Sequence, residues 1–369
     1  MSDTYVVPTP GSFIREELEA RGWSQRDLAF VLGCTEQAVN PILSGKRGIS
    51  PDMAKALGDA FDVAPEFFLN LQKTYDLQRA KVPDPDVSKR AKLQDRYPVR
   101  EMIKRGWLDE TSADLLEEQL CRFFKVKDQQ SIPYFTHAAK KTHYDDTPPP
   151  QLVWLFRVRQ LAEALPVKPY SAKALRASLD QLKLLMGDPE ESRHVPRVLA
   201  ECGVRFIIVE PLQGSKIDGV AFWIDASPVI GMSLRFDRID NFWFVLRHEI
   251  EHILRGHGKT KECLDVDLVA SVDAATEEEE VIANAAAQGF GVSDEELNGF
   301  LARYYPLLAE DTFCSFAKIL GVHPGIAVGR AQQHLNKFNF LRHLLVKIRE
   351  YVCSSAITDG WGKLVHLDL

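Results

Sequence analysis

The stretch NFWFVLRHEIEHILRG, residues 241–256, decides how the second half of the chain is interpreted. Its apolar residues recur at the spacing of a helix, and Gly256 is a typical residue to end one, so the stretch is predicted to be helical. Four residues apart on such a helix, His248 and His252 would lie on one face, about 6 Å from each other. Two imidazoles at that spacing can bind one metal ion.

Glu249 follows the first of these histidines and completes a His-Glu-x-x-His motif. Its side chain is displaced around the helix, so it is predicted to reach water beside the metal rather than the metal itself, as a general base must. Zn²⁺ is the predicted cofactor, because zinc accepts histidine and carboxylate ligands and lowers the pKa of bound water to about 7. The motif predicts a zinc metallopeptidase with Glu249 as the catalytic residue.

A catalytic zinc needs a third protein ligand and one open position. The downstream run EEEEVIAN, residues 277–284, offers candidates. If it is helical, Glu280 and Asn284 share a face, so Glu280 could bind zinc and Asn284 could accept a hydrogen bond from a ligand imidazole. Glu277 is the alternative ligand, and a solvated acidic helix start is the alternative to any metal role.

Three further features surround the motif. His257 is predicted either to stabilise a transition state or only to interact favourably with the helix C-terminus. Residues 204–209, 219–224 and 229–236 are predicted strands, and the last either offers its edge to a peptide or has both edges covered. The acidic stretch 262–280 is a candidate for a lid or pro-segment that keeps an activity latent.

The composition bounds the class of protein. The chain has 369 residues, of which 45% are hydrophobic, so it can bury a substantial core. It contains no run of about 20 apolar residues that could span a membrane. A formal net charge of -7 argues against a chain built mainly to coat nucleic acid. The six cysteines lack paired spacing, so reduced cysteines and a cytoplasmic location are expected.

The second half of the chain resembles the ImmA/IrrE family of metallopeptidases. In that family a motif like residues 248–252 is followed by a Glu-x-x-Ala-Asn segment like residues 280–284. Further similarities are Ile217-Asp218-Gly219, the Gly-His pair after the motif, and residues 322–325 with Gly329-Arg330, so the resemblance covers about residues 151–335. It implies Glu280 as the third ligand and a protein substrate such as a repressor or antitoxin.

The first 80 residues resemble HigA-type antitoxins of the XRE-like helix-turn-helix class. The resemblance rests on Pro10-Gly11, Ser24-Gln25, residues 43–47 and residues 65–71. In such folds the third helix enters the major groove of double-stranded DNA. The residues that the resemblance predicts to face bases or phosphates are Thr35, Glu36, Gln37, Asn40, Lys46 and Arg47.

Two features weigh against tight DNA binding by this region. Pro41 lies inside the third helix, where it removes a backbone hydrogen bond and is expected to kink the helix. Residues 1–80 contain eight Lys or Arg and eleven Asp or Glu, a net charge of -3, so electrostatic attraction to DNA is modest. A dimerisation or protein-binding module is therefore the alternative, and a homodimer is expected.

The predicted fold is mainly α with a small β-sheet, of the α+β class. Its predicted parts are an all-α helix-turn-helix domain (8–80), a helical connector (81–150), an HExxH zincin-like peptidase domain (151–335) and a C-terminal helical tail (336–369). The proline-rich residues 147–150 are the predicted domain boundary, because they cannot continue a helix.

The sequence thus predicts a zinc-dependent endopeptidase coupled to transcriptional regulation. One alternative is a DNA-binding regulator or antitoxin whose zinc is structural or sensory, with the fourth zinc position filled by a protein side chain. His257 or Glu277 would be candidates for that fourth ligand. A second alternative is an interaction protein with a degenerate metal site.

Overall fold

A computed structural model describes residues 8–127, 147–259, 262–268 and 278–366. The chain forms two compact units, Met1–Pro85 and Asp86–Leu369. As predicted, the protein is mainly helical with one small sheet. No helix in these described ranges is long and apolar enough to cross a membrane.

The first unit consists of five helices around one apolar core. They are α1 (Pro10–Arg21), α2 (Gln25–Val31), α3 (Glu36–Leu43), α4 (Pro51–Phe61) and α5 (Pro65–Arg79). A capping box between Ser24 and Asp27 starts α2, as the sequence favours. Gly11 allows α1 to approach the end of α3 closely, because a Cβ at this position would lie 2.3 Å from the Ile42 carbonyl oxygen.

The second unit combines twelve described α-helices with short 3₁₀ turns. The helices are α6 (Asp86–Arg96), α7 (Val99–Lys104), α8 (Ala113–Phe123), α9 (Pro149–Ala164), α10 (Ala172–Leu184), α11 (Val195–Glu201), α12 (Ile239–Arg255), α13 (Glu278–Gly291), α14 (Asp294–Tyr304), α15 (Glu310–Leu320), α16 (Pro324–His334) and α17 (Arg349–Val352). The 3₁₀ turns are Leu185–Gly187, Pro189–His194 and Arg342–Leu344.

Five strands form a mixed sheet in the middle of this unit. They are β1 (Arg205–Val209), β2 (Ile217–Ile224), β3 (Ser227–Met232), β4 (Cys263–Val266) and β5 (Ile357–Asp359). Their spatial order is β4-β2-β3-β1-β5. β1 is parallel to β3 and β5, whereas β2 is antiparallel to β3 and β4. The two-residue connection Asp225-Ala226 joins β2 to β3 as a hairpin.

The sheet is covered on both faces, because alternate side chains of its strands enter two different apolar clusters. Phe206 and Ile208 of β1 point to the cluster that contains α12, and Ile207 and Val209 point to the cluster that contains α9. The motif helix α12 therefore lies against one face of the sheet, where it contacts β2 and β3.

The structure divides the chain differently from the predicted domain limits. Residues 147–150 do not separate two units, because Pro149 and Pro150 form the first turn of α9, where a missing N–H costs little. The described part of the predicted connector from Asp86 onward belongs to the second unit, and its apolar side chains share a cluster with α9. The predicted helical tail contains β5, which pairs with β1.

Strand limits also differ from the prediction. β3 begins at Ser227 and ends at Met232, whereas residues 229–236 were predicted. It ends early because Leu234 and Asp237 adopt left-handed backbone conformations, with φ of 49° and 48°. β4 and β5 were not predicted at all, since runs of three or four residues carry no readable alternation.

Candidate metal centre and helix-turn-helix surface

The motif helix α12 holds the three residues of the His-Glu-x-x-His motif in the interior of the second unit. His248, Glu249 and His252 are each 0% exposed. The helix ends at Arg255, and Gly256 follows in the left-handed conformation with φ of 77°, which suits a residue without a side chain. Three buried polar side chains on one helix need compensating partners.

Two histidines and two carboxylates meet at the C-terminal half of α12. His248 Nε2 and His252 Nε2 are 3.0 Å apart, and the Glu280 carboxylate lies 3.3 Å from the first and 3.4 Å from the second. Asp265 Oδ2 lies 3.4 Å from His248 Nε2. Ligand atoms about 2.0–2.1 Å from a tetrahedral zinc are roughly 3.3 Å from one another. The spacing of these atoms therefore fits a zinc site.

Asp265 is the member of this cluster that the sequence did not predict. It lies on β4, is 4% exposed, and stands opposite Gly219 of β2. Its neighbours in sequence, Cys263-Leu264 and Val266, form no metal-binding spacing with the motif. The one available signal was an aspartate inside a short apolar run, which is unusual for a charge without a partner.

The charges of the cluster strongly perturb one another. Burial lowers the pKa of His248, but the nearby Asp265 and Glu280 carboxylates outweigh burial and raise it to about 9. Burial raises the pKa of Asp265, but His248 outweighs that effect and lowers it to about 2. For His252, burial is the largest effect and lowers the pKa. The positive charge of the histidines balances the negative charge of the carboxylates only in part. A divalent cation would supply the missing positive charge.

Glu249 lies beside the cluster in a space that β2 leaves open. Burial raises its pKa well above the ordinary value, and the charge of Asp265 raises it further. A Cβ at Gly219 would lie 2.0 Å from Glu249 Oε1, so this strand position accommodates the carboxylate only if it is glycine. The glycine of the Ile-Asp-Gly segment therefore has a direct steric role next to the motif.

The outer contacts differ from those predicted. His257 Nδ1 lies 3.0 Å from His252 Nδ1, on the ring nitrogen that does not face the cluster, and Glu279 lies 3.6 Å from the same atom of His257. This contact orients the His252 imidazole, and it leaves the predicted role of His257 in a transition state untested. Asn284 is buried, but its Oδ1 and His248 Nδ1 make no hydrogen bond within the described residues. Glu277 lies outside the described residues.

The strand at the edge of the sheet is not the one that was predicted to bind a peptide. β3 lies between β2 and β1, so the strand that directly precedes the motif helix has both edges paired. The strand predicted to offer its edge to a peptide therefore cannot do so. The edge of the sheet on the side of α12 and the cluster is instead formed by β4, which pairs with β2.

The predicted DNA-facing residues of the first unit all lie on its surface. The exposed residues are Thr35, Glu36, Gln37, Asn40, Lys46 and Arg47. Arg26 pairs with Glu36 at 2.9 Å and offsets its charge. Helix α3 continues for two residues beyond Pro41, whose carbonyl accepts hydrogen bonds from the amides of Lys46 and Arg47 at 2.8 and 3.0 Å.

Comparison with known proteins identifies this first unit. The family model for the helix-turn-helix matches residues 14–68. An uncharacterized HTH-type transcriptional regulator of Escherichia coli strain K12, YddM, is 31% identical over 86 residues, which are 23% of this chain and 90% of the relative. The chain belongs to the helix-turn-helix family.

Other relatives of this helix-turn-helix protein are similar over a comparable length. Virulence-associated protein A′ of Dichelobacter nodosus is 42% identical over 73 residues, which are 20% of this chain, and the chain spans 64% of the length of that relative. The solved structure of the Pseudomonas aeruginosa antitoxin HigA with the higBA promoter is 40% identical, over 20% of this chain and 79% of that chain, with a TM-score of 0.19. The family match ends at residue 68, before the first residue of the metal cluster.

Proposed function

We propose that this helix-turn-helix protein is a DNA-binding transcriptional regulator whose second unit binds Zn²⁺ and hydrolyses a peptide bond in a protein partner, such as a repressor or antitoxin. The observation that carries the proposal is the cluster of two buried histidines, the buried Asp265 and the part-exposed Glu280, in which neighbouring ligand atoms lie 3.0–3.4 Å apart, as they do around a tetrahedral zinc ion. The resemblance to ImmA/IrrE peptidases supports the same assignment.

Each residue of the proposed zinc site would have a distinct role. His248, His252 and Glu280 would hold the metal, and His257 would orient His252 through its other ring nitrogen. Zinc, when bound, supplies Lewis acidity toward a peptide carbonyl and acidifies water. Glu249 would accept a proton from the attacking water and return it to the leaving amine. Burial raises the pKa of this carboxyl, which makes its carboxylate a stronger base toward that water.

A second function is favoured by one specific observation. Asp265 supplies a fourth side chain to the cluster, and zinc sites with four protein ligands are typically structural. In this alternative the regulator binds DNA, and its zinc stabilises the second unit or makes the protein responsive to zinc, without hydrolysis of a peptide bond. The two functions make opposite predictions for Glu249, which only the peptidase requires.

The Glu249→Gln variant separates the two functions. Its matched control is Glu251→Gln, two residues along the same helix, where the carboxylate pairs with Arg247 and Arg255 instead of facing the cluster. A third variant, His248→Ala, removes a proposed ligand. Zinc content, thermal unfolding and the transcripts changed by each protein in cells are measured together.

The peptidase proposal predicts that Glu249→Gln keeps its zinc and yet changes transcription like His248→Ala, while Glu251→Gln behaves like the wild type. If Glu249→Gln matches the wild type and only His248→Ala is defective, zinc is structural or sensory. If all three variants match the wild type, the metal site has no role in regulation.

The DNA-binding half of the proposal rests on the family match and on the exposure of α3. Replacing both Lys46 and Arg47 by alanine is expected to weaken binding to any DNA duplex. The slope of the logarithm of the binding constant against the logarithm of the salt concentration should become shallower by about one to two. The control is Lys55→Ala, which removes one positive charge from an exposed position on α4. Fluorescence anisotropy with duplexes from the protein's own upstream region makes the measurement. Equal salt slopes for all variants would contradict DNA binding through this surface.

A further inference from the structure

The strand β4 covers the edge of the sheet that lies beside the motif helix. It pairs with β2 through Leu264 opposite Val220 and Asp265 opposite Gly219, with a register irregularity at its end. An open edge at this position would allow an extended peptide to add as a further strand, which is a common way for proteins to bind peptides. The chain thus places four of its own residues where a peptide substrate would be expected to pair.

The same strand brings a carboxylate into the metal cluster. Asp265 Oδ2 is buried and makes no hydrogen bond within the described residues, and no Lys or Arg in those ranges forms an ion pair with Asp265. Its nearby groups are His248, His252 and the carboxylates of Glu249 and Glu280. A buried carboxylate among other carboxylates is unfavourable unless a cation is shared between them. The nearest positive group to Asp265 is thus a histidine and not a Lys or Arg within the described ranges, and this environment suits a metal ligand.

The ends of β4 are held by contacts outside the cluster. Glu262 forms an ion pair with Arg159, and Asp267 accepts a hydrogen bond from Arg235 at 2.8 Å. The amide of Asp267 donates to the Lys216 carbonyl at 3.0 Å. The Asp267 contact is part-exposed, and exposed ion pairs are individually weak, whereas the Glu262 side chain is only 8% exposed. These contacts hold a strand of four residues that a competing peptide could replace.

We infer that Asp265 is a fourth metal ligand that β4 inserts into the site, so that the protein's own strand occupies both the peptide-binding edge and the open metal position. The inference rests on the proposed zinc site. The resting protein would then be latent, and hydrolysis would require Asp265 to leave the metal as β4 yields to a substrate strand. Three ligands would remain to hold the metal.

The coordination itself can be measured without any substrate. The full chain is loaded with Co²⁺, whose visible absorption reports its ligands, and is titrated with acetohydroxamate, a small ligand that needs an open metal position. The variants are Asp265→Ala and the control Glu251→Gln, which changes a carboxylate on α12 that pairs with Arg247 and Arg255 instead of facing the cluster. A second test variant, Glu262→Gln, loosens the end of β4 and keeps Asp265.

We expect Asp265→Ala to retain one Co²⁺ per chain and to bind acetohydroxamate about tenfold or more tightly than the wild type, because the wild-type site is open only in a minor fraction of molecules. Glu262→Gln should also raise the affinity for acetohydroxamate, but by less, and Glu251→Gln should match the wild type. Equal affinity in wild type and Asp265→Ala would overturn the inference, and so would loss of Co²⁺ from Asp265→Ala.

These outcomes are independent of turnover. If Asp265→Ala opens the site but never cleaves a protein in a Glu249-dependent manner, the peptidase proposal fails and the assignment of Asp265 stands. If the wild type already binds acetohydroxamate tightly and cleaves its target, the peptidase proposal stands and the assignment of Asp265 fails.

Discussion

Asp218 and Asp265 lie on neighbouring strands of one sheet and differ in what balances their charge. Asp218, 2% exposed, accepts hydrogen bonds from Arg235 at 3.0 and 3.1 Å and from the Leu268 amide at 2.8 Å. Asp265 is similarly buried, but its closest positive partner is a histidine at 3.4 Å. The comparison teaches that the charge of one buried aspartate is balanced by an arginine of the protein, whereas the charge of the other is balanced only by a histidine, as expected for the proposed metal site.

The largest effect is expected when the protein partner of Asp218 is removed. Arg235→Ala leaves a buried carboxylate without its cation, which should lower the free energy of unfolding by about 3–5 kcal/mol. The control Arg255→Ala removes a half-exposed ion pair with Glu251 and should cost less than about 1 kcal/mol. Urea unfolding of both variants with and without zinc makes the measurement. Similar small losses in both would mean that Asp218 does not depend on Arg235.

A smaller effect is expected at Gly219, which stands opposite Asp265. Gly219→Ala would place a Cβ 2.0 Å from Glu249 Oε1, so the carboxylate or the strand must move, at a cost of roughly 1–3 kcal/mol. The control Gly299→Ala lies in the exposed part of α14 with open space around it and should stabilise by about 0.5–1 kcal/mol. Thermal unfolding compares the two, and a stabilising Gly219→Ala would contradict the tight contact.

The smallest expected effect is the release of a proton when the metal binds. The raised pKa of His248, about 9, keeps its imidazole protonated at pH 7.5 in the metal-free protein, and zinc requires the neutral form. Zinc binding should therefore release about one proton at pH 7.5, and zinc affinity should rise with pH up to about 9. Calorimetry in buffers of different ionisation enthalpy counts the proton. In Asp265→Ala the count should fall, since the carboxylate that raises this pKa is gone.

The sequence predicted the elements whose signals are local. Helix α12 was recognisable from its apolar spacing, its histidines and Gly256, and the helix-turn-helix from Ser24 and from short helices in succession. The three central strands were found because they are rich in β-branched and aromatic residues. The mainly helical fold and the helix-turn-helix class were confirmed.

The remaining features depend on contacts that no local pattern encodes. β5 pairs with β1 across about 150 residues of chain, and Asp265 reaches the cluster only because β4 adds to β2. The predicted limits between parts of the chain differ from those of the structure because residues from Asp86 onward share an apolar cluster with α9 and the sheet. Short strands and shared cores become visible only when the chain is folded.

The zinc content of Glu280→Gln tests the central assignment most directly. Its matched control is Glu279→Gln, the preceding residue of α13, whose side chain is exposed and lies on the side of His257. We predict about one zinc per chain in the purified wild type and in Glu279→Gln, and a lower zinc content in Glu280→Gln, because of these two glutamates it is Glu280 that lies close to both His248 and His252. Wild-type protein without zinc, or equal zinc in the two variants, would contradict the account.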